Sequence, residues 1–167
     1  MIIKKIKEFP RYYVSDTGKI YALVAGVLID KKLQSEKDND KVYINLYTNS
    51  KAHKRYVHRL VYETFIGKVP KGYVVDHIDR NPLNNNLSNL RKATYQQNRV
   101  NSSKSPGAYS EYKGVHYCCR RNRYYASIGY EYKMIRLGSF KTEVEAAKAY
   151  NNKCIELYGE FSVLNKV

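Results

Sequence analysis

Apolar positions along the 167-residue chain change their period several times, and each change marks an element. Tyr12 to Tyr21 holds two β-prone runs around Ser15-Asp16-Thr17-Gly18, which predicts a hairpin. Val42 to Tyr47 alternates and predicts a strand, with a turn at Asn49-Ser50 and a returning partner at Arg55-Tyr56-Val57. From His58 the period lengthens: Leu60, Val61 and Phe65 fall at helical spacing, and Gly67 can close that helix. Val74-Val75 reads as a short strand that ends at Asp76-His77. Residues 76–90 are dense in Asn and predict a loop. Thr94 with Gln97 forms a capping box, which puts Asn98 in the first turns of a helix. Further on, Lys113–Tyr117, Tyr124–Ile128 and Lys133–Leu137 are three short strands separated by turns. A second capping box, Thr142 with Glu145, starts a helix through about Tyr158. Its packed face would be Ala146, Ala147, Tyr150, Cys154 and Leu157, and Gly159 would stop it.

These elements predict an α+β fold in three segments. Residues 1–50 form a small β-rich module, residues 51–101 a central module, and residues 108–167 a three-stranded antiparallel sheet packed on one helix. The polar, turn-forming stretch 102–107 reads as a linker.

Charge narrows the function. Thirty Lys and Arg against fifteen Asp and Glu give a formal net charge of +15. Such an excess attracts polyanions and speeds their capture, so nucleic acid is the first candidate partner. An anionic membrane surface is less well supported, because the sequence has no long apolar run, signal peptide or basic amphipathic helix. A cytoplasmic, non-secreted setting is expected. The cysteines (Cys118, Cys119 and Cys154) are odd in number with an adjacent pair, which fits neither a disulfide framework nor a CxxC zinc site.

Phosphodiester hydrolysis requires a base for water and a positive charge for the phosphorane and the departing oxygen. Asp76 and His77 supply the residue types. Neighbours on a strand point to opposite sides, so one can face a metal ion and the other the attacking water. An Asp-His dipeptide alone is usually a surface turn. The wider order carries the signal: His58-Arg59, Asp76-His77, Asn84-Asn85, Asn89-Leu90-Arg91 and Gln97-Asn98 follow one another at compact spacing.

Over about residues 55–101 this arrangement resembles the HNH homing endonucleases of phages, whose nuclease module is a ββα-metal fold. The resemblance implies Asp76 as a metal ligand and His77 as the general base. It implies Asn89 as the residue that bridges the loop and keeps the His oriented, and Asn98 as a second metal ligand. Mg2+ or Mn2+ is the implied cofactor. Many relatives place Asp-Gly where this chain has Asp79-Arg80, so the turn must form without glycine. Arg59, Arg91 and Arg99 are candidate phosphate contacts.

The C-terminal segment resembles the Apetala-two/ethylene-response-factor DNA-binding domain through Tyr112 to Val115, Tyr124 to Ile128, Ile135 to Phe140, Thr142 to Tyr150 and Gly159 to Asn165. That resemblance implies a sheet face that reads duplex DNA with a supporting helix behind it. The candidates on it are Lys113, His116, Arg120, Arg121, Arg123, Tyr125, Ser127 and Arg136. Phe9 to Tyr21 resembles a short modular motif found ahead of HNH cores.

Together these readings predict a monomeric, site-directed DNA endonuclease that acts on double-stranded DNA and nicks one strand. The alternative is a DNA-binding regulator with an inactive nuclease module. It has no need of Asp76, His77 and Asn98, all of which are present. An RNA-binding protein is a third reading, which the C-terminal resemblance disfavours.

Overall fold

The computed structural model describes residues 1–37, 40–102 and 110–167. Most of the linker 102–107 lies outside the described residues. The chain is mixed α and β, with several small antiparallel sheets, and divides into two compact units, Met1–Ala93 and Thr94–Val167.

The first unit begins with a four-stranded antiparallel meander: β1 (Ile3–Lys5), β2 (Tyr12–Ser15), β3 (Ile20–Val24) and β4 (Val27–Asp30). The hairpin expected from Tyr12 to Tyr21 is β2–β3, in the register Tyr12 to Ala22 and Val14 to Ile20. Val14 and Ile20 are fully buried, so this pair anchors the meander. A three-stranded sheet follows: β5 (Gln34–Ser35), β6 (Val42–Thr48) and β7 (Lys51–Tyr56). Val42, Ile44 and Leu46 alternate inward along β6, as a half-buried strand requires. Helix α1 (Val57–Phe65) comes directly off β7. The pattern placed Val57 in the returning strand, but Val57 opens the helix. It lies three and four residues before Leu60 and Val61, and all three are buried along one helical stripe. Gly67 closes the helix as expected, its N–H donating to Tyr62 O at 3.2 Å. Finally β8 (Tyr73–His77) and β9 (Leu90–Thr94) form a two-stranded sheet. One core joins these parts, with Phe9, Val14, Ile20, Ile44, Leu46, Leu60, Val61, Val75 and Leu90 in contact.

Strands β1, β4, β5 and β9 were not legible in the pattern. They are two to five residues long, too short for alternation to stand out, and β4 is exposed throughout.

The second unit starts with α2 (Tyr95–Asn101). Its capping box is formed: Gln97 N–H donates to Thr94 Oγ1 at 3.1 Å, and Thr94 N–H to Gln97 Oε1 at 2.8 Å. The antiparallel sheet is β10 (Val115–Cys118), β11 (Arg123–Tyr130) and β12 (Lys133–Phe140), with α3 (Glu143–Tyr158) on one face. Val115, Ala126, Ala146 and Ala147 are the contact layer, and the small residues let helix and sheet approach closely. Gly114, at φ 75°, lies so near the Tyr150 ring that an added Cβ would fall 2.1 Å from it. On α3 the buried positions include Tyr150, Asn151, Cys154 and Tyr158, whereas Leu157 is only half-buried. Tyr158 takes the expected place of Leu157 because its hydroxyl reaches the carbonyl of Gly129. The chain returns through Asn165, whose amide Oδ1 accepts from Lys113 N–H at 2.7 Å.

Candidate active site

Strand β8 delivers Asp76 and His77 to different surroundings. The Asp76 side chain is 4% exposed and takes a hydrogen-bonded ion pair from Arg91 Nε at 3.0 Å. Arg91 lies on β9, the partner of β8, and is itself 12% exposed. A guanidinium is the donor suited to pairing with a buried carboxylate. Arg91, expected as a phosphate contact, therefore binds Asp76 in this structure.

His77 is half-buried. Its Nε2 is 3.3 Å from Asn85 Oδ1. Its ring meets His58 edge-on, with centroids 5.1 Å apart, and His58 stacks on Tyr56. Burial lowers the His77 pKa, and the Asn85 hydrogen bond works in the opposite direction. His58 is buried more deeply on α1. Desolvation, followed by the charge of His77, lowers its pKa to about 3. Its Nδ1 has no hydrogen-bond partner among the described residues. His58 is thus a packed, neutral imidazole, and His77 is the ring placed at the end of β8.

Between β8 and β9 the chain forms a loop built on Asp79 and Asn89. Asn89 Nδ2 donates to Asp79 Oδ1 and to Asn84 O, both at 2.8 Å, and Asn89 Oδ1 accepts from Asp79 N–H at 3.0 Å. Asp79 also accepts from Asn81 N–H and Asn84 Nδ2. Desolvation pulls the Asp79 carboxyl upward, but these donors outweigh it and hold the pKa below its ordinary value. The turn at Asp79-Arg80 forms without glycine because Arg80 itself adopts φ 64°, and its N–H returns to His77 O at 3.0 Å. That backbone conformation costs a side-chain-bearing residue about 1 kcal/mol or more.

Asn98 is exposed on α2, in the second unit. Arg99 is exposed on the same helix, and Arg59 is paired with Glu63 at 3.0 Å on α1. Lys113 donates through Nζ to the carbonyls of Arg99, Val100 and Ser102, which closes the C-terminal end of α2. The register brings His116, Arg123, Tyr125, Ser127 and Arg136 together on the sheet face opposite α3. His116 pairs with Tyr125, Cys118 with Arg123, and Ser127 with Arg136, whereas the alternate residues Ala126 and Ile128 are buried beneath. The His116 and Tyr125 rings stack at 5.5 Å. Arg120 and Arg121 sit in a 3₁₀ turn at the end of this sheet, and Arg121 reaches the Tyr125 hydroxyl at 3.3 Å.

Among the described residues, no group of three or more His, Cys, Asp or Glu side chains gathers as a metal cage. The donor set around Asp76 is one carboxylate with amides nearby in the sequence. Such sparse oxygen donors suit a hard cation that keeps several waters and takes the rest of its shell from substrate phosphate. Sequence reading places Asn85 in the motif only as half of Asn84-Asn85 and gives it no role of its own. It was one of three consecutive asparagines with no periodicity to separate them.

Residues 55–100 match the family model described as HNH endonuclease. An uncharacterized HNH endonuclease of Acanthamoeba polyphaga mimivirus is 44% identical over 68% of this chain and 59% of its own length. Protein 3.8 of Escherichia phage T7 is 34% identical over 67% of this chain and 90% of its own length. The DNA endonuclease I-HmuI of a Bacillus phage is 37% identical over 59% of this chain and 55% of its own. The solved structure described as DNA binding and cleavage by the HNH homing endonuclease I-HmuI superposes with a TM-score of 0.54 at 38% identity. It covers 60% of this chain and 57% of that one. The chain spans 59% and 58% of the first two curated relatives it matches. Residues 55–100 thus carry an HNH endonuclease domain, and the chain is similar to HNH homing endonucleases over about six-tenths of its length.

Proposed function

We propose that this protein is a metal-dependent, site-directed DNA endonuclease that nicks one strand of duplex DNA. The observation that carries this reading is the β8 end, where a charge-paired, buried Asp76 adjoins a neutral His77 of lowered basicity. His77 takes the proton from the attacking water, because a largely neutral imidazole is available as a base at physiological pH. Asn89 holds the loop between β8 and β9 through three hydrogen bonds, and so fixes the path of the chain after His77.

Asp76 would hold the divalent cation, Mg2+ or Mn2+, and the family resemblance adds the amide oxygen of Asn98 as a second donor. When bound, the cation supplies the charge that stabilises the phosphorane and the departing oxygen. One such site per chain supports nicking over double-strand cleavage, with the protein acting as a monomer.

The C-terminal sheet, read as an Apetala-two-like domain over 108–167, supplies DNA affinity. Its support is the shared face of His116, Arg123, Tyr125, Ser127 and Arg136. The N-terminal module, residues 1–50, contacts DNA or docks on the nuclease core at 51–101. The setting is a phage-infected or bacterial host cell. No helix among the described residues is long and apolar enough to cross a membrane.

The direct test is nicking of supercoiled plasmid in Mg2+. His77→Ala is expected to lower turnover by about 10²–10⁴-fold, the range of a lost general base. DNA binding should survive, and chelation should silence the wild type. Full activity in His77→Ala would exclude the base assignment, and cutting undiminished by chelation would exclude the metal.

A further inference from the structure

We propose that Asn85 is a positioning residue for His77: its amide oxygen fixes the imidazole as the Nε2–H tautomer and so selects Nδ1 as the atom that accepts a proton. The proposal rests on the nuclease reading above and adds to it the atom that acts.

The orientation of the Asn85 amide follows from its partners. Its Nδ2 lies 3.1 Å from Leu83 O and 3.4 Å from Pro82 O. Carbonyl oxygens only accept, so the amide nitrogen must face them. The amide oxygen then faces His77 Nε2, at 3.3 Å. An amide oxygen cannot donate, so the neutral ring makes this bond only with its proton on Nε2. The basic lone pair is left on Nδ1. Asn85 is 5% exposed, so bulk water competes little for this contact.

The loop that carries Asn85 is braced from the N-terminal hairpin of the same unit. Leu87 N–H donates to Asp16 O at 2.7 Å. Gly18, at φ 86°, approaches so closely that a Cβ there would lie 2.8 Å from the Asn85 Cβ. The β2–β3 turn is thus a backstop for the residue that aims His77. The glycine is required both for its backbone angle and for the approach.

Long-range proton–nitrogen correlation spectra of His77, recorded where its ring is neutral, test the proposal without any cleavage. The His77 signals are assigned by their loss in His77→Gln. The wild type is expected to show the Nε2–H tautomer. Asn85→Ala should give a mixture of tautomers, with kcat down by about 10–100-fold and KM for DNA within about twofold. Asn85→Asp, which keeps an oxygen acceptor, should restore most of the Nε2–H population. Gly18→Ala should reproduce part of the Asn85→Ala effect. The signals of the other three histidines report that each variant is folded. A wild-type Nδ1–H tautomer would overturn the proposal, as would a folded Asn85→Ala with unchanged tautomer and unchanged kcat. A wild type that shows Nε2–H yet cuts no DNA would sink the nuclease reading and leave the positioning contact standing.

Discussion

At the scale of single residues, Asp76 and His77 are adjacent in the chain but lie among different neighbours. Arg91 gives the buried Asp76 carboxyl a hydrogen-bonded partner at 3.0 Å. Removing one partner of such a pair leaves an uncompensated buried charge, which is why Arg91 is unlike the surface arginines around it. His58 shows the opposite case, a histidine kept neutral by burial. Its folded pKa of about 3 lies below the ordinary value of 6.5. The unfolded chain therefore binds the proton first, and the native state loses stability as pH falls from 6.5 towards 3. Above 6.5 the contribution is fully present. Each unit of separation is worth about 1.4 kcal/mol, so the total is several kcal/mol at most. His58→Phe should flatten this acid limb of the stability curve, read by chemical denaturation across that pH range. An unchanged slope would show that other groups carry the acid sensitivity.

At the scale of elements, the loop from β8 to β9 is a closed hydrogen-bonded unit rather than a connector. Asn89 ties both ends of it to Asp79 and Asn84, and Arg80 accepts a left-handed backbone so that the turn can close. The loop was legible as Asn-rich. Which asparagine does what was not, because Asn84, Asn85 and Asn86 are chemically identical and differ only in where the folded chain points them. The C-terminal strands and α3 were legible in kind and order, with strand ends shifted by up to three residues, because strand alternation and a capping box are local signals. Their closeness was not. Gly114→Ala is expected to destabilise the protein by about 3 kcal/mol, combining overpacking against Tyr150 with a strained backbone. Thermal or denaturant unfolding measures it, and a neutral effect would mean the sheet and helix can separate freely.

At the scale of the whole molecule, the net charge of +15 favours a polyanionic partner, and the fold decides which cations share a face. Lys113 illustrates the difference. It is one more cation in the sequence, yet its ammonium closes the end of α2. Arg123 and Arg136 remain on the face opposite α3. Replacing both by Ala should weaken DNA binding and reduce the slope of log affinity against log salt by about 2, roughly 0.9 for each lost phosphate contact. Turnover at saturating DNA should change little. A salt slope equal to the wild type's would remove the sheet face from the DNA contact.

The sequence by itself determined the charge excess, the α+β composition and the HNH segment, because charge, periodicity and an ordered motif are all written in one dimension. The tertiary structure alone decided that Arg91 serves Asp76, that Asn85 rather than its neighbours faces His77, and that Gly18 backs it. Those pairings join residues far apart in the chain through hydrogen bonds a few ångströms long. Only the packing of the hairpin, the loop and β8 on one core brings them within reach.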